Sequence, residues 1–478
     1  MCKNVATGPL ALLLSIIATV SHQWPHDDPG HKALFATSAD SKHRTIAWAK
    51  AALDVIDYSA RVASRSIEHV QALLHICYVL FHLDGFSTQL GSVFGTTVTY
   101  ARSLGLHIID LPRSMDGTSN PHPGGLAAEM GRRVWWSVVT LDWLLAQRCY
   151  PLGGFDLMNP TLTAVNLPRD CNDDEIEGNV PSIQGPSSMT FHILKIKLVE
   201  VCRDFSAGGS SSPAVPSETI YSGVMRSDAK LNTFIRELPP AFQLNHDASI
   251  TESQRTRSSR PPRVLTAQCY MLNLSIQAQL CKLHLPYLFR AAVDPAVTYS
   301  RQACLRAAQQ VIRIECVLEN KTEPPFLHGL FHHRGVLYIL SLACIVLLLD
   351  SCLVSAAGSN TAPSRETSEA YRLLEDASKY SPTSETLFNA LVQLLMRHRV
   401  SLPVHMTIVG TETRACEADV VDTVSGMDTM KDGDVCTALA GFQGGLWDEL
   451  WPSEANGVGV GGLDWKDTLL AEIDLSFM

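Results

Sequence analysis

The residues best suited to chemistry lie in one stretch, EMGRRVWWSVVTLDW, at 129–143. Glu129, Arg132, Arg133, Trp135, Trp136 and Asp142 all fall within it. A guanidinium is a planar fork of donors that grips a carboxylate, a phosphate or a backbone carbonyl. A basic pair beside two tryptophans therefore suits either a nucleic-acid contact or an internal clasp. Glu129 and Arg133 stand four residues apart, the spacing at which opposite charges pair on a helix. An arginine stem laid along apolar tryptophans points to a structural role. The pattern predicts a clasp in which Arg132 or Arg133 ties down the segment from Gly153 to Asp174, with Asp142 nearby.

Other chemistries find little support. The thirteen cysteines are scattered, and no two sit at the C-x2-C spacing of a zinc site. Most fall in apolar helical patterns, where a free cysteine acts as a small hydrophobe. That usage points to a reducing, intracellular compartment. The seventeen histidines form no HExxH set. A nucleophile elbow, a phosphate loop and a dinucleotide fingerprint are all missing. No catalytic residue, metal ligand or cofactor is assigned. Net charge is −10, so the chain lacks the basic footprint of a nucleic-acid binder as a whole.

A second set of residues lies at the C-terminal end. Residues 446–478 carry seven acids, one base and four aromatics. Acids interleaved with bulky apolar groups are the composition of a disordered activation segment that folds on a partner's groove. The residues that would dock are Trp447, Leu450, Trp451, Trp465, Leu469, Leu470, Ile473 and Phe477. A terminal helix packed on the protein's own body is the competing reading.

The elements that must position these groups read as helices. Apolar residues make up 46% of 478 positions and charged residues 18%, which suits a large globular body. Leu10–Val20 has the length of a signal-peptide core or of a first core helix; the cysteine usage favours the helix. Amphipathic patterns follow at 42–64 (through Ile46, Ala49, Leu53, Ile56 and Ala60), 68–83 and 86–105. A Pro/Gly-rich loop spans 112–125, and a helix through Met130, Val134, Val138, Leu141 and Leu145 comes next. Further helical patterns occupy 188–205, 218–237, 265–288 and 298–318. Val336–Leu349 is too short to span a bilayer and predicts a helix buried on all sides. No useful strand pattern occurs. The expected fold is all-α, an array of helical hairpins forming one large body over 1–400, with a linker at 401–445 and the acidic tail at 446–478.

Several of these stretches resemble the middle regulatory region of fungal-specific transcription factors, the regulators that usually carry a six-cysteine binuclear zinc cluster. They are VQALLHICYVLFHLDG at 70–85, ARSLGLHIIDL at 101–111, EMGRRVWWSVVTLDWLLA at 129–146, GGFDLMNPTLTAVNLPRDCNDDEI at 153–176 and LHLPYLFRAAVDPAVTYSRQACLRAAQQVI at 283–312. The resemblance implies a helical regulatory body, a nuclear location and pathway-specific control of transcription, for example of a secondary-metabolite gene cluster. It also implies a co-activator or other transcription machinery as the tail's partner, a small-molecule effector and a homodimer as candidate associations. A ligand-sensing co-regulator without its own DNA contact is the alternative, and a biosynthetic enzyme on the same body a remote one. The zinc cluster is the departure: Cys2 stands alone until Cys77. DNA contact is therefore expected only through a cluster upstream of this sequence, which would bring the zinc, or through a partner protein.

Overall fold

Tyr100-Ala-Arg-Ser-Leu-Gly-Leu-His107 shows how local sequence shapes this molecule. The helix before it ends because Gly105 takes a left-handed conformation (φ 72°), which a residue without Cβ adopts freely. Leu104 and Gly105 donate their amides back to the carbonyls of Tyr100 (3.1 Å) and Arg102 (2.9 Å), closing the helix. A single 3-10 turn, Leu106–Ile108, then carries the chain to Asp110.

In the computed structural model, the residues described are 6–23, 29–62, 64–84, 87–111, 125–146, 163–177, 185–209, 217–244, 262–288, 290–292, 294–319, 334–356, 365–378 and 388–389. They contain no strand, so the all-α expectation holds for them. The helices are α1 (Thr7–Gln23), α2 (Pro29–Leu34), α3 (Ser38–Arg61), α4 (Ile67–Asp84), α5 (Thr88–Ser103) and α6 (Leu126–Ala146). They continue with α7 (Thr190–Gly209), α8 (Ser217–Arg236), α9 (Pro262–His284), α10 (Thr298–Glu319), α11 (Arg334–Ala356) and α12 (Arg365–Ser378). The linker at 401–445 and all the tail residues named above lie outside the described residues.

The packing is a chain of neighbours. Helix α1 lies against α3 and α4, α4 against α5 and α6, and α6 against α7; α9 meets α7, α8, α10 and α11, and α12 closes on α10 and α11. One hydrophobic core runs from Ala11 to Leu374. Helix α11 is its centre, with Ile339–Leu349 buried without a break. Asp350 ends that run by pairing with Arg301 of α10 at 2.7 Å. No helix of the described residues is long and apolar enough to cross a membrane.

The first hairpin corrects one expectation. Helical periodicity predicts Ile46 and Ala60 on the buried stripe of α3, yet both are exposed, as is Trp48. The buried face is instead Ser41, Thr45, Ala49, Ala52, Ile56 and Ser59, and α1 likewise buries Gly8, Ala11, Ser15 and Ala18. Small residues on facing helices let backbones approach closely, and that gain outweighs burying one more isoleucine. Ser41 adds a bond from its hydroxyl to the Ser21 carbonyl (2.9 Å).

Candidate functional site

Helix α6 is buried on most of its circumference, so its charged residues must find partners inside the protein. Glu129 is the hub, with a side chain 0% exposed. Its Oε1 accepts from Arg133 Nε (3.2 Å) and from the Arg169 amide (3.0 Å), and its Oε2 accepts from Arg132 Nη1 (3.1 Å). Arg132 turns its other edge to Asp110, donating from Nε (3.1 and 3.0 Å) and Nη2 (2.6 Å) in a two-pronged pair. Arg133 reaches the other way, to Asp173 Oδ1 (2.5 Å) and the Cys171 carbonyl (3.3 Å).

The two arginines thus hold different segments. Arg132 pins the turn that follows α5, and Arg133 pins the irregular strap 163–177. The strap also bonds to that turn directly: Ala164 donates to the His107 carbonyl (2.9 Å), Asp110 to the Ala164 carbonyl (3.0 Å), and Asn166 to Asp110 Oδ2 (2.8 Å). Trp136 donates its indole proton to the Asn166 carbonyl (2.8 Å). At its far end the strap seats the start of α7, where Ser187 and Thr190 donate to Asp170 Oδ1 (2.5 and 2.6 Å) and the Ser188 amide to Asn172 Oδ1 (2.8 Å). Residues 153–162 of the segment named from sequence lie outside the described residues.

The electrostatics follow from this geometry. The Arg132 guanidinium holds the Asp110 carboxyl below the usual carboxylate range; burial opposes this, and the Asn166 amide assists it. Asp110 in turn raises the pKa of Arg132. Burial works against the charge of Arg133, but Asp173 and Glu129 outweigh it and raise its pKa. Trp135 is buried with its ring 6.0 Å from that of His107, and Trp136 meets Trp143 edge-on at 6.2 Å. Asp142 is buried on the same helix, more than two turns beyond Arg133.

Two contributors escaped the sequence reading. Asp110 was not named, although it neutralises Arg132. Gly131 was not named either: a Cβ there would collide with the side chain of Ile109, so glycine lets α6 sit against the turn that carries Asp110.

A second buried polar cluster joins α8, α9 and α10. Asp228 Oδ1 contacts His284 Nε2 (3.0 Å), and His284 Nδ1 contacts Ser300 Oγ (3.0 Å). Tyr299 and Asn232 donate to Asp228 Oδ2 (2.7 and 2.9 Å), and Ser300 donates to Tyr221 (3.2 Å). Burial pushes Asp228 up, but hydrogen bonds from His284 and Tyr299 win and hold its pKa low. The order Asp–His–Ser matches that of a hydrolase triad. However, Ser300 and His284 are both 0% exposed, so no substrate carbonyl can reach the hydroxyl. The cluster is an interhelical fastener. Among the described residues no group of three His, Cys, Asp or Glu side chains could hold a metal ion.

The model of the fungal specific transcription factor domain matches residues 3–232, which contain α1 to α7, the strap and the clasp. Over 413 residues the chain is 30% identical to the probable transcription factor lepB of Aspergillus flavus, covering 82% of this chain and 70% of that one. It is 26% identical to the agnestins biosynthesis cluster transcription factor AgnL11 of Paecilomyces divaricatus, over 75% of this chain and 51% of the relative. It is 25% identical to the Zn(2)-C6 fungal-type transcription factor pigI of Monascus ruber, over 56% of this chain and 31% of the relative. No solved structure matches. The buried glutamate and its two arginines lie inside the matched region, and the chain belongs to the fungal specific transcription factor family.

Proposed function

We propose that this protein is a nuclear transcriptional regulator of a biosynthetic gene cluster. Residues 1–400 are its regulatory body, 401–445 its linker and 446–478 its activation segment. The observation that carries the reading is the family relationship, which includes a relative named for a biosynthesis cluster. The clasp supports a structural division of labour. Arg132 and Arg133 are already saturated by Glu129, Asp110 and Asp173, so they have no fork left for phosphate.

DNA contact is assigned to a zinc cluster or partner protein beyond these 478 residues, which contain no C-x2-C pair. The tail recruits co-activators by folding Trp465, Leu469, Leu470 and Ile473 onto a groove. Fusing residues 440–478 to a heterologous DNA-binding domain should switch on a reporter. Replacing Trp465 and Leu469 with alanine should abolish that output. A fusion as silent as the DNA-binding domain alone removes the activation role.

A further inference from the structure

Where α6 and α7 face α1 and α4, the packing leaves a cavity of about 600 Å³. That volume falls within the roughly 300–1,000 Å³ of small-molecule sites. Its walls are mainly apolar, with Leu12 and Leu74 on one side and Val134 and Leu141 on the other. Among the described residues no Asp or Glu lines it. Its polar groups include Lys195, His192 and Ser137.

Lys195 sets the chemistry. Among the described residues no carboxylate pairs with it, and its ammonium instead lies 5.5 Å from the centre of the Phe191 ring. It is half-buried and lines the cavity. Even so, protein surrounds it closely enough that desolvation pulls its pKa down to about 8. The neighbouring His192 is pushed down to about 3, first by burial and then by the charge of Lys195, so it stays neutral and adds no second charge. Arg133 also lines the cavity, but its guanidinium is taken by Glu129 and Asp173. Among the described residues one lysine is therefore left in a mainly apolar cavity with no anion to meet it, a costly arrangement that a ligand anion would relieve.

We propose that this cavity binds a small, largely apolar molecule bearing one carboxylate, with Lys195 as the counter-ion. The floor of the cavity is the same α6 surface whose Arg133 holds the strap through Asp173. An occupant beside Lys195 therefore sits one residue contact away from the clasp. This deepens the regulatory reading of the body and rests on it for the consequence alone. Binding itself is measured on the isolated full chain, so its failure and a silent reporter are separate results.

The test is calorimetric titration of the full chain with naphthalene-2-carboxylate and with its neutral counterpart, naphthalene-2-methanol. The carboxylate should bind about tenfold tighter, the size expected of one charge-assisted contact. That preference should vanish in Lys195→Met, persist in Lys195→Arg, and be untouched by Lys197→Met, which changes an exposed lysine on the same helix. Equal affinity for acid and alcohol in the unmodified chain, no binding of either, or a preference that survives Lys195→Met each overturns the proposal. The comparison within the unmodified chain stands whether or not a variant folds.

Discussion

Replacing Glu129 with alanine is expected to destabilise the body by about 3–5 kcal/mol, the usual cost of removing one member of a buried charge network. The carboxylate is fully buried and accepts from two guanidiniums and the Arg169 amide. Without it, Arg132 keeps Asp110 and Arg133 keeps Asp173, yet each loses the partner that fixes it to its own helix. The Arg169 amide loses its acceptor altogether, which orphans a backbone donor. Glu129→Gln should cost less, because it still accepts through one oxygen while giving up the charge. Urea unfolding followed by helical circular dichroism measures both. A midpoint that does not move in Glu129→Ala would mean that the clasp does not hold the fold.

The second large effect is expected at Asp228. Its carboxylate receives His284, Tyr299 and Asn232, and His284 is fully buried on α9. Asp228→Ala leaves those groups without their common acceptor, a loss of about 3–5 kcal/mol. Asp228→Asn retains one acceptor oxygen and should lie between the two. The pH dependence has a fixed sign. The folded pKa of Asp228 is depressed, so its contribution is complete above the unfolded value near ~3.9 and is lost as pH falls through the folded value. Asp110 is depressed by Arg132 and adds to the same acid limb. Asp228→Asn should therefore show a shallower fall in stability below about pH 4 than the unmodified chain. A variant whose acid limb matches the unmodified one would remove Asp228 from the account.

The sequence was most informative where partners are close along the chain. The Glu129–Arg133 spacing announces its own pairing, because a helix brings positions four apart together. Helix α11 was equally legible, since an unbroken apolar run too short for a bilayer has to be buried. Pairings between distant segments were not visible. Asp110 meets Arg132 only because Gly105 ends α5 and Gly131 lets α6 approach the following turn. Asp228 and His284 are brought together by the packing of α8 on α9, and neither residue carries a local signal of that contact. Ile46 was misplaced for a related reason. Periodicity ranks large apolar residues first, whereas the α1–α3 contact selects small ones to bring the backbones close.

Glycine, charge and strap work as one unit in this fold. The region from Gly105 to Asp110 turns back, the strap crosses it, and α6 fastens both through two arginines that one buried glutamate orients. That arrangement leaves the arginine pair inside the protein; activation is the role proposed above for the acidic tail.

The central claim is therefore that the body regulates and the acidic tail activates. Its most direct test fuses the whole chain to a heterologous DNA-binding domain and compares reporter output with that of the same fusion lacking residues 401–478. The account predicts activation by the whole chain and its loss on deletion, with the helical content of residues 1–400 unchanged. Equal output from both fusions would contradict it.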